Sequence, residues 1–148
     1  MTGEAQLRDA RTVLIVDDEA DVLEAMRRIL ARRGFTVHTA PGAEEALDIA
    51  RAVDGAIGLL VTDLCLPGDV SGVRLAGLLT ELVPDVRVLF VSGYPREVAV
   101  DKGLIGSDVD ILEKPFDPSL LSEAVQAALG PRQAAGASRV EDVADHLE

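Results

Sequence analysis

Short apolar runs alternate along the chain with stretches in which apolar residues recur every three or four positions. Residues 12–16, "TVLIV", read as a buried strand. They lead into "ADVLEAMRRILARRG" (20–34), where Val22, Met26, Ile29 and Leu30 share one helical face and Gly34 follows a basic last turn as a stop signal. "FTVHTA" (35–40) is a half-polar second strand, and "AEEALDIARAV" (43–53) a helix packing through Ala46, Leu47, Ile49 and Ala50. "IGLLVTD" (57–63) is a third strand, "GVRLAGLLTELV" (72–83) a helix closed by Pro84, and "VRVLFVS" (86–92) a fourth strand. "PREVAVDKGLIG" (95–106) has a diluted helical pattern, because valines and glycines interrupt it. "VDILEK" (109–114) is a fifth strand, and "PSLLSEAVQAALG" (118–130) a last helix with Pro near its start and Gly at its end.

Five β–α units in succession predict a parallel sheet with helices on both faces. Right-handed crossovers restrict the strand orders, and a closed barrel needs eight units, so an open, doubly wound α/β sheet is expected. The expected boundaries are an N-terminal extension over 1–11, one domain over 12–130, and a tail or linker over 131–148 that is rich in Ala, Gly and charge.

Composition narrows the function classes. The chain has 148 residues, 48% of them hydrophobic but only 3% aromatic, so its core is aliphatic. The net charge of −12 repels phosphate backbones and anionic lipid, which argues against direct nucleic-acid binding by this segment. No apolar run is long enough to span a membrane, and the polar first residues lack the apolar stretch of a signal peptide. A single cysteine cannot form an internal disulfide, and a reduced, cytoplasmic protein is expected.

Candidate chemistry collects where the strands end. In a parallel sheet the carboxyl ends lie along one edge, which holds ligands. There the sequence places Asp17 and Asp18 after the first strand, Asp63 after the third, Ser92 after the fourth and Lys114 after the fifth. Two carboxylates about 5 Å apart repel by roughly 3 kcal/mol at an effective dielectric near 20. A group of three raises one another's pKa values or requires a cation. Hard oxygen donors suit Mg²⁺, or Mn²⁺, and the lysine supplies a fixed positive charge for an aspartate or a phosphoryl group. The set suits phosphoryl transfer, with an aspartate able to serve as nucleophile.

The pieces "VDDE" (16–19), "VTDLCLPG" (61–68), "VLFVSGY" (88–94) and "EKPF" (113–116) occur in order and at suitable spacing. Together they resemble the receiver domain of two-component response regulators over about residues 12–130, and "VLFVSGYP" resembles receivers of hybrid sensor histidine kinases. The resemblance implies a flavodoxin-like five-stranded sheet of order 2-1-3-4-5. It implies Asp63 as phosphoacceptor, Asp17 and Asp18 as the metal-binding acid pair, and the Cys65 backbone carbonyl as a further metal ligand. Ser92 is implied as the switch hydroxyl and Lys114 as the contact to the phosphoryl group, with a cis Lys114–Pro115 bond. The implied partner is a histidine kinase or a histidine phosphotransfer protein, with homodimerisation on phosphorylation through the strand 4–helix 4–strand 5 face. Such a domain is a signalling phosphoacceptor in a phosphorelay and not a turnover enzyme. The chain departs from the family pattern at Ile111, where many members carry Tyr or Phe, and in the loop 67–72, which is one residue longer than the commonest form.

Other residues read more plainly. Glu19 and Asp21 are first-turn helix residues. Cys65 is expected to be a small buried or half-buried residue beside the site. Tyr94 either lines the site or belongs to an output face. His38 and His146 lack metal-ligand spacing. Two alternatives remain: a Mg²⁺-dependent phosphohydrolase of small substrates, and an interaction module that works without phosphorylation.

Overall fold

The computed structural model describes residues 11–106 and 109–130. The expectations for 1–10 and 131–148, and for His146, lie outside the described residues. Five strands, β1 (Thr12–Val16), β2 (Thr36–Ala40), β3 (Leu59–Asp63), β4 (Arg87–Ser92) and β5 (Ile111–Glu113), form one sheet in the order β2-β1-β3-β4-β5. Every pairing is parallel, so each connection crosses over the sheet through a helix. The helices are α1 (Ala20–Arg32), α2 (Ala43–Ala52), α3 (Gly72–Leu82), α4 (Arg96–Asp101) and α5 (Pro118–Leu129).

The continuous apolar runs of β1, β3 and β4 follow from burial on both faces. Alternate residues enter two separate cores. Val13, Ile15, Leu59, Val61, Leu89 and Val91 face Met26 and Leu30 of α1 and Leu121 and Val125 of α5. Leu14, Val16, Leu60 and Phe90 face Ala46 and Ala50 of α2, Leu75 and Leu79 of α3, and Ala99 of α4. The faces expected for α1 and α2 are the ones that pack, with Val22, Ile29, Leu47 and Ile49 at their margins.

Helix α4 and strand β5 fall furthest short of the lengths that the periodicity predicts, each at half. Helix α4 ends at Asp101 because Gly103 takes a φ of +75° and the Leu104 N–H returns to the Ala99 carbonyl at 3.0 Å. Strand β5 is confined to the three residues that pair with Phe90, Val91 and Ser92. Among the described residues, no helix is long and apolar enough to cross a membrane.

This topology positions the site. Strand β1 lies between β2 and β3, so the connections from its two sides diverge at its carboxyl end and leave a crevice. Asp17 directly follows β1 and Asp63 closes β3.

Candidate functional site

Asp17 is drawn inward by its backbone: its N–H donates to the Ala40 carbonyl at 3.2 Å, prolonging the β1–β2 ladder past Val16. Its side chain is 0% exposed. Oδ1 accepts the Glu19 N–H at 2.8 Å, while Oδ2 is buried and has no hydrogen-bond donor. The nearest counter-charge is Lys114 Nζ, 3.2 Å from Oδ2, so that contact is an ion pair without hydrogen-bond geometry. Asp18, the next residue, is exposed.

Asp63 reaches the same space from β3. Its Oδ1 accepts the Cys65 N–H at 3.1 Å and its Oδ2 accepts a hydrogen bond from Lys114 Nζ at 3.2 Å. Beyond Asp63 the chain turns outward. Leu64 and Leu66 take the buried positions, which leaves Cys65 between them exposed and corrects the expectation of a buried or half-buried thiol. Helix α3 begins directly against this turn: the Gly72 N–H donates to the Leu64 carbonyl at 3.1 Å, and a Cβ on Gly72 would stand 2.0 Å from the Asp63 carbonyl oxygen. Ser71 caps that helix by accepting the Arg74 N–H.

Ser92 lies one residue beyond the partner of Asp63 on the adjacent strand. It is buried, and its Oγ accepts the Tyr94 N–H at 2.8 Å. Tyr94 is 38% exposed as a residue, and Lys102 Nζ lies 5.3 Å from the centroid of its ring. Tyr94 thus borders the site through its backbone and lies at the surface. Lys114 joins both halves: its backbone N–H donates to the Ser92 carbonyl at 2.7 Å while its side chain spans Asp17 and Asp63. The Lys114–Pro115 peptide is cis. Ile111 is half-buried and packs against the core between β4 and α4.

Electrostatics follow from this packing. Burial pushes the Asp17 carboxyl above its ordinary pKa; the Glu19 N–H and Lys114 pull it back only in part, and Asp63 adds repulsion. Burial also opposes the charge on Lys114, but its hydrogen bond and attraction to Asp63, and then Asp17, outweigh that and raise its pKa. Carboxylate oxygens of Asp17, Asp18 and Asp63 lie within 4.8 Å of one another. Three hard oxygen donors, one of them buried without a hydrogen bond, fit a small divalent cation such as Mg²⁺.

Two contributions were not read from the sequence. Glu19 is the N-cap residue of α1, yet its side chain caps nothing and its Oε1 lies 3.9 Å from Lys114 Nζ. A glutamate opening a helix looks the same whether or not a lysine some ninety residues later approaches it. Gly72 likewise gave no signal, since a glycine between a loop and a helix is commonplace.

Comparison with known proteins agrees with this geometry. Residues 13–126 match the family described as the response regulator receiver domain. The sensor kinase CckA of Brucella abortus is 33% identical over 123 residues, covering 83% of this chain and 13% of that protein. The transcriptional regulatory protein FixJ of Rhizobium meliloti is 36% identical over 117 residues, covering 79% of this chain and 56% of the relative. The chain therefore spans a minor part of the first relative and little more than half of the second. Among solved structures, the receiver domain of the hybrid histidine kinase CckA superposes with a TM-score of 0.67 at 34% identity, over 80% of this chain and 99% of that one. A response regulator protein from Burkholderia pseudomallei, solved with a phosphorylated aspartic acid, a calcium ion and citrate, gives a TM-score of 0.66 at 31% identity, over 85% of this chain and 72% of its own. With the family match running from the second residue of β1 into α5, the chain belongs to the response regulator receiver domain family.

Proposed function

We propose that this receiver domain accepts a phosphoryl group on Asp63 from the phosphohistidine of a histidine kinase or a histidine phosphotransfer protein. The observation that supports this most directly is the pairing of Asp63 with Lys114 beside a buried acid, Asp17, whose Oδ2 lacks a hydrogen bond. Asp63 is the more accessible acid of the two, its side chain 13% exposed against 0% for Asp17, and its carboxylate is held by Cys65 N–H and Lys114 Nζ. A carboxylate oxygen of Asp63 attacks phosphorus; the phosphorus–nitrogen bond breaks, and its electron pair returns to the imidazole of the donor. The product is an acyl phosphate.

Asp17, Asp18, Asp63 and the Cys65 carbonyl would hold Mg²⁺ or Mn²⁺. When bound, that ion neutralises phosphoryl oxygens and offsets the repulsion between the acids. Lys114 exchanges part of its carboxylate contact for a phosphoryl oxygen. The Ser92 hydroxyl accepts from Tyr94 N–H and keeps its own proton to donate to the phosphoryl group. Turning Ser92 inward withdraws the acceptor from Tyr94 N–H, which lies two residues before α4. The β4–α4–β5 face then shifts within a two-state equilibrium and changes its binding to a partner or to a second copy. In this reading the domain catalyses only its own phosphorylation and slow dephosphorylation. The cytoplasm is the proposed compartment, in keeping with an exposed, unpaired Cys65.

The test is incubation with Mg²⁺ and acetyl phosphate, followed by intact-mass measurement. One phosphate is expected on the wild type and none on Asp63→Asn. Phosphate retained by Asp63→Asn defeats the assignment, and steady turnover of small phosphoesters favours the phosphohydrolase reading instead.

A further inference from the structure

We infer that Glu19 is a positioning residue that acts through Lys114 as an electrostatic brake on anionic phosphodonors. The inference rests on the phosphoacceptor reading and deepens it. Three carboxylates face one ammonium: Asp17 and Asp63 at 3.2 Å and Glu19 at 3.9 Å from Lys114 Nζ. They differ in depth. The Asp17 side chain is 0% exposed, that of Lys114 22% and that of Glu19 63%. Glu19 therefore stands on the solvent side of the lysine, where an incoming donor arrives.

Its conformation supports a role outside helix capping. Asn, Asp, Ser and Thr at an N-cap turn their side chains back onto helix N–H groups, whereas Glu19 occupies the N-cap of α1 with no such bond. Its backbone N–H is committed to Asp17 Oδ1, which fixes the residue against the acid pair while leaving its carboxylate toward Lys114. Glu19 is also outside the group of carboxylates close enough together to share a cation. Its charge thus persists at the rim while Asp17, Asp18 and Asp63 are engaged. It offsets part of the Lys114 charge that attracts the donor and adds repulsion toward a phosphate dianion.

A unit charge about 4 Å away in water changes a rate by roughly fivefold. Glu19→Gln is expected to raise the second-order rate constant for phosphorylation of Asp63 by acetyl phosphate about three- to sixfold at low ionic strength. The gain should largely vanish near 1 M salt, where screening acts over about 3 Å. It should be smaller with phosphoramidate, which carries less negative charge. Glu19→Asp, which keeps the charge, should retain most of the brake, and thermal melts of both variants would separate these effects from loss of structure. If the wild type takes up phosphate on Asp63 but folded Glu19→Gln reacts no faster, the inference fails and the phosphoacceptor reading stands. A gain that ignores salt, or that Glu19→Asp shares in full, also overturns it by pointing to shape. A wild type that accepts phosphate from neither donor overturns both.

Discussion

Replacing Gly72 with alanine places a methyl group where the backbone of Asp63, the proposed phosphoacceptor, runs. The added Cβ would stand 2.0 Å from the Asp63 carbonyl oxygen and 3.0 Å from both the Asp63 carbonyl carbon and the Leu64 oxygen. The first approach is about 1.4 Å short of ordinary contact. All three obstacles are backbone atoms, so no side chain can rotate away. Helix α3 cannot simply withdraw, because Leu75 and Leu79 are fully buried and the Gly72 N–H is tied to the Leu64 carbonyl. Overpacking of this kind costs about 1–3 kcal/mol and sometimes more. With backbone on both sides, a loss of about 3 kcal/mol is expected, equivalent to roughly 10 °C in Tm for a domain of this size. Chemistry should suffer separately, since a displacement of about 1 Å at a reacting group can lower a rate some hundredfold. Gly77 on the same helix provides the control. A Cβ there meets nothing within 4 Å, so Gly77→Ala should stabilise the protein by about 0.5–1 kcal/mol through helix propensity alone. Urea melts and acetyl phosphate kinetics on both variants decide the matter. A Gly72→Ala protein with wild-type stability and wild-type phosphorylation would refute the reasoning.

Asp17→Asn should stabilise the fold at neutral pH, because burial penalises the charged acid, while slowing Mg²⁺-dependent phosphorylation. The sign follows from the raised pKa: the wild type loses stability as pH rises through it, so the gap to Asp17→Asn should close below the ordinary value of 3.8 and open above it in paired urea melts. Lys114 behaves oppositely at the alkaline end. Its stabilising contribution is complete below the ordinary value of 10.5 and lost as pH rises through the raised one, so Lys114→Met should destabilise at pH 7 and approach wild type in strong alkali. Leu60→Ala, at a 0% exposed position in the sheet, should cost about 2–5 kcal/mol by chemical denaturation while leaving m unchanged.

Periodicity in the sequence was sufficient for the sheet and its helices. Leu14, Leu60 and Phe90 on one face, and Val13, Ile15 and Val61 on the other, left little freedom about which strands lie inside. The site was legible to the extent that strand ends must share an edge: Asp17, Asp63 and Lys114 are separated in sequence yet meet within hydrogen-bonding range. What the sequence did not disclose depends on tertiary approach. The exposure of Cys65 follows from Leu64 and Leu66 taking the inward positions. The reach of Glu19 toward Lys114 depends on where β5 ends, and the tightness at Gly72 on how closely α3 meets the turn after β3. The early end of α4 reflects a left-handed Gly103, a choice that two glycines in one helical pattern left open.

The way Lys114 is held suggests the domain as a gate that opens only when two pieces meet. The segment from β5 to α5 contributes a single member of the acid–lysine cluster, yet Lys114 is also anchored by its N–H to the Ser92 carbonyl and lies between two elements buried through Leu112 of β5 and Leu121, Val125 and Ala128 of α5. Cutting the chain between α4 and β5 would leave the acids and Ser92 on one fragment and the lysine on the other. On the proposed function each fragment alone is expected to take up no phosphate, and uptake by the mixture would be a covalent record that the fragments have found each other.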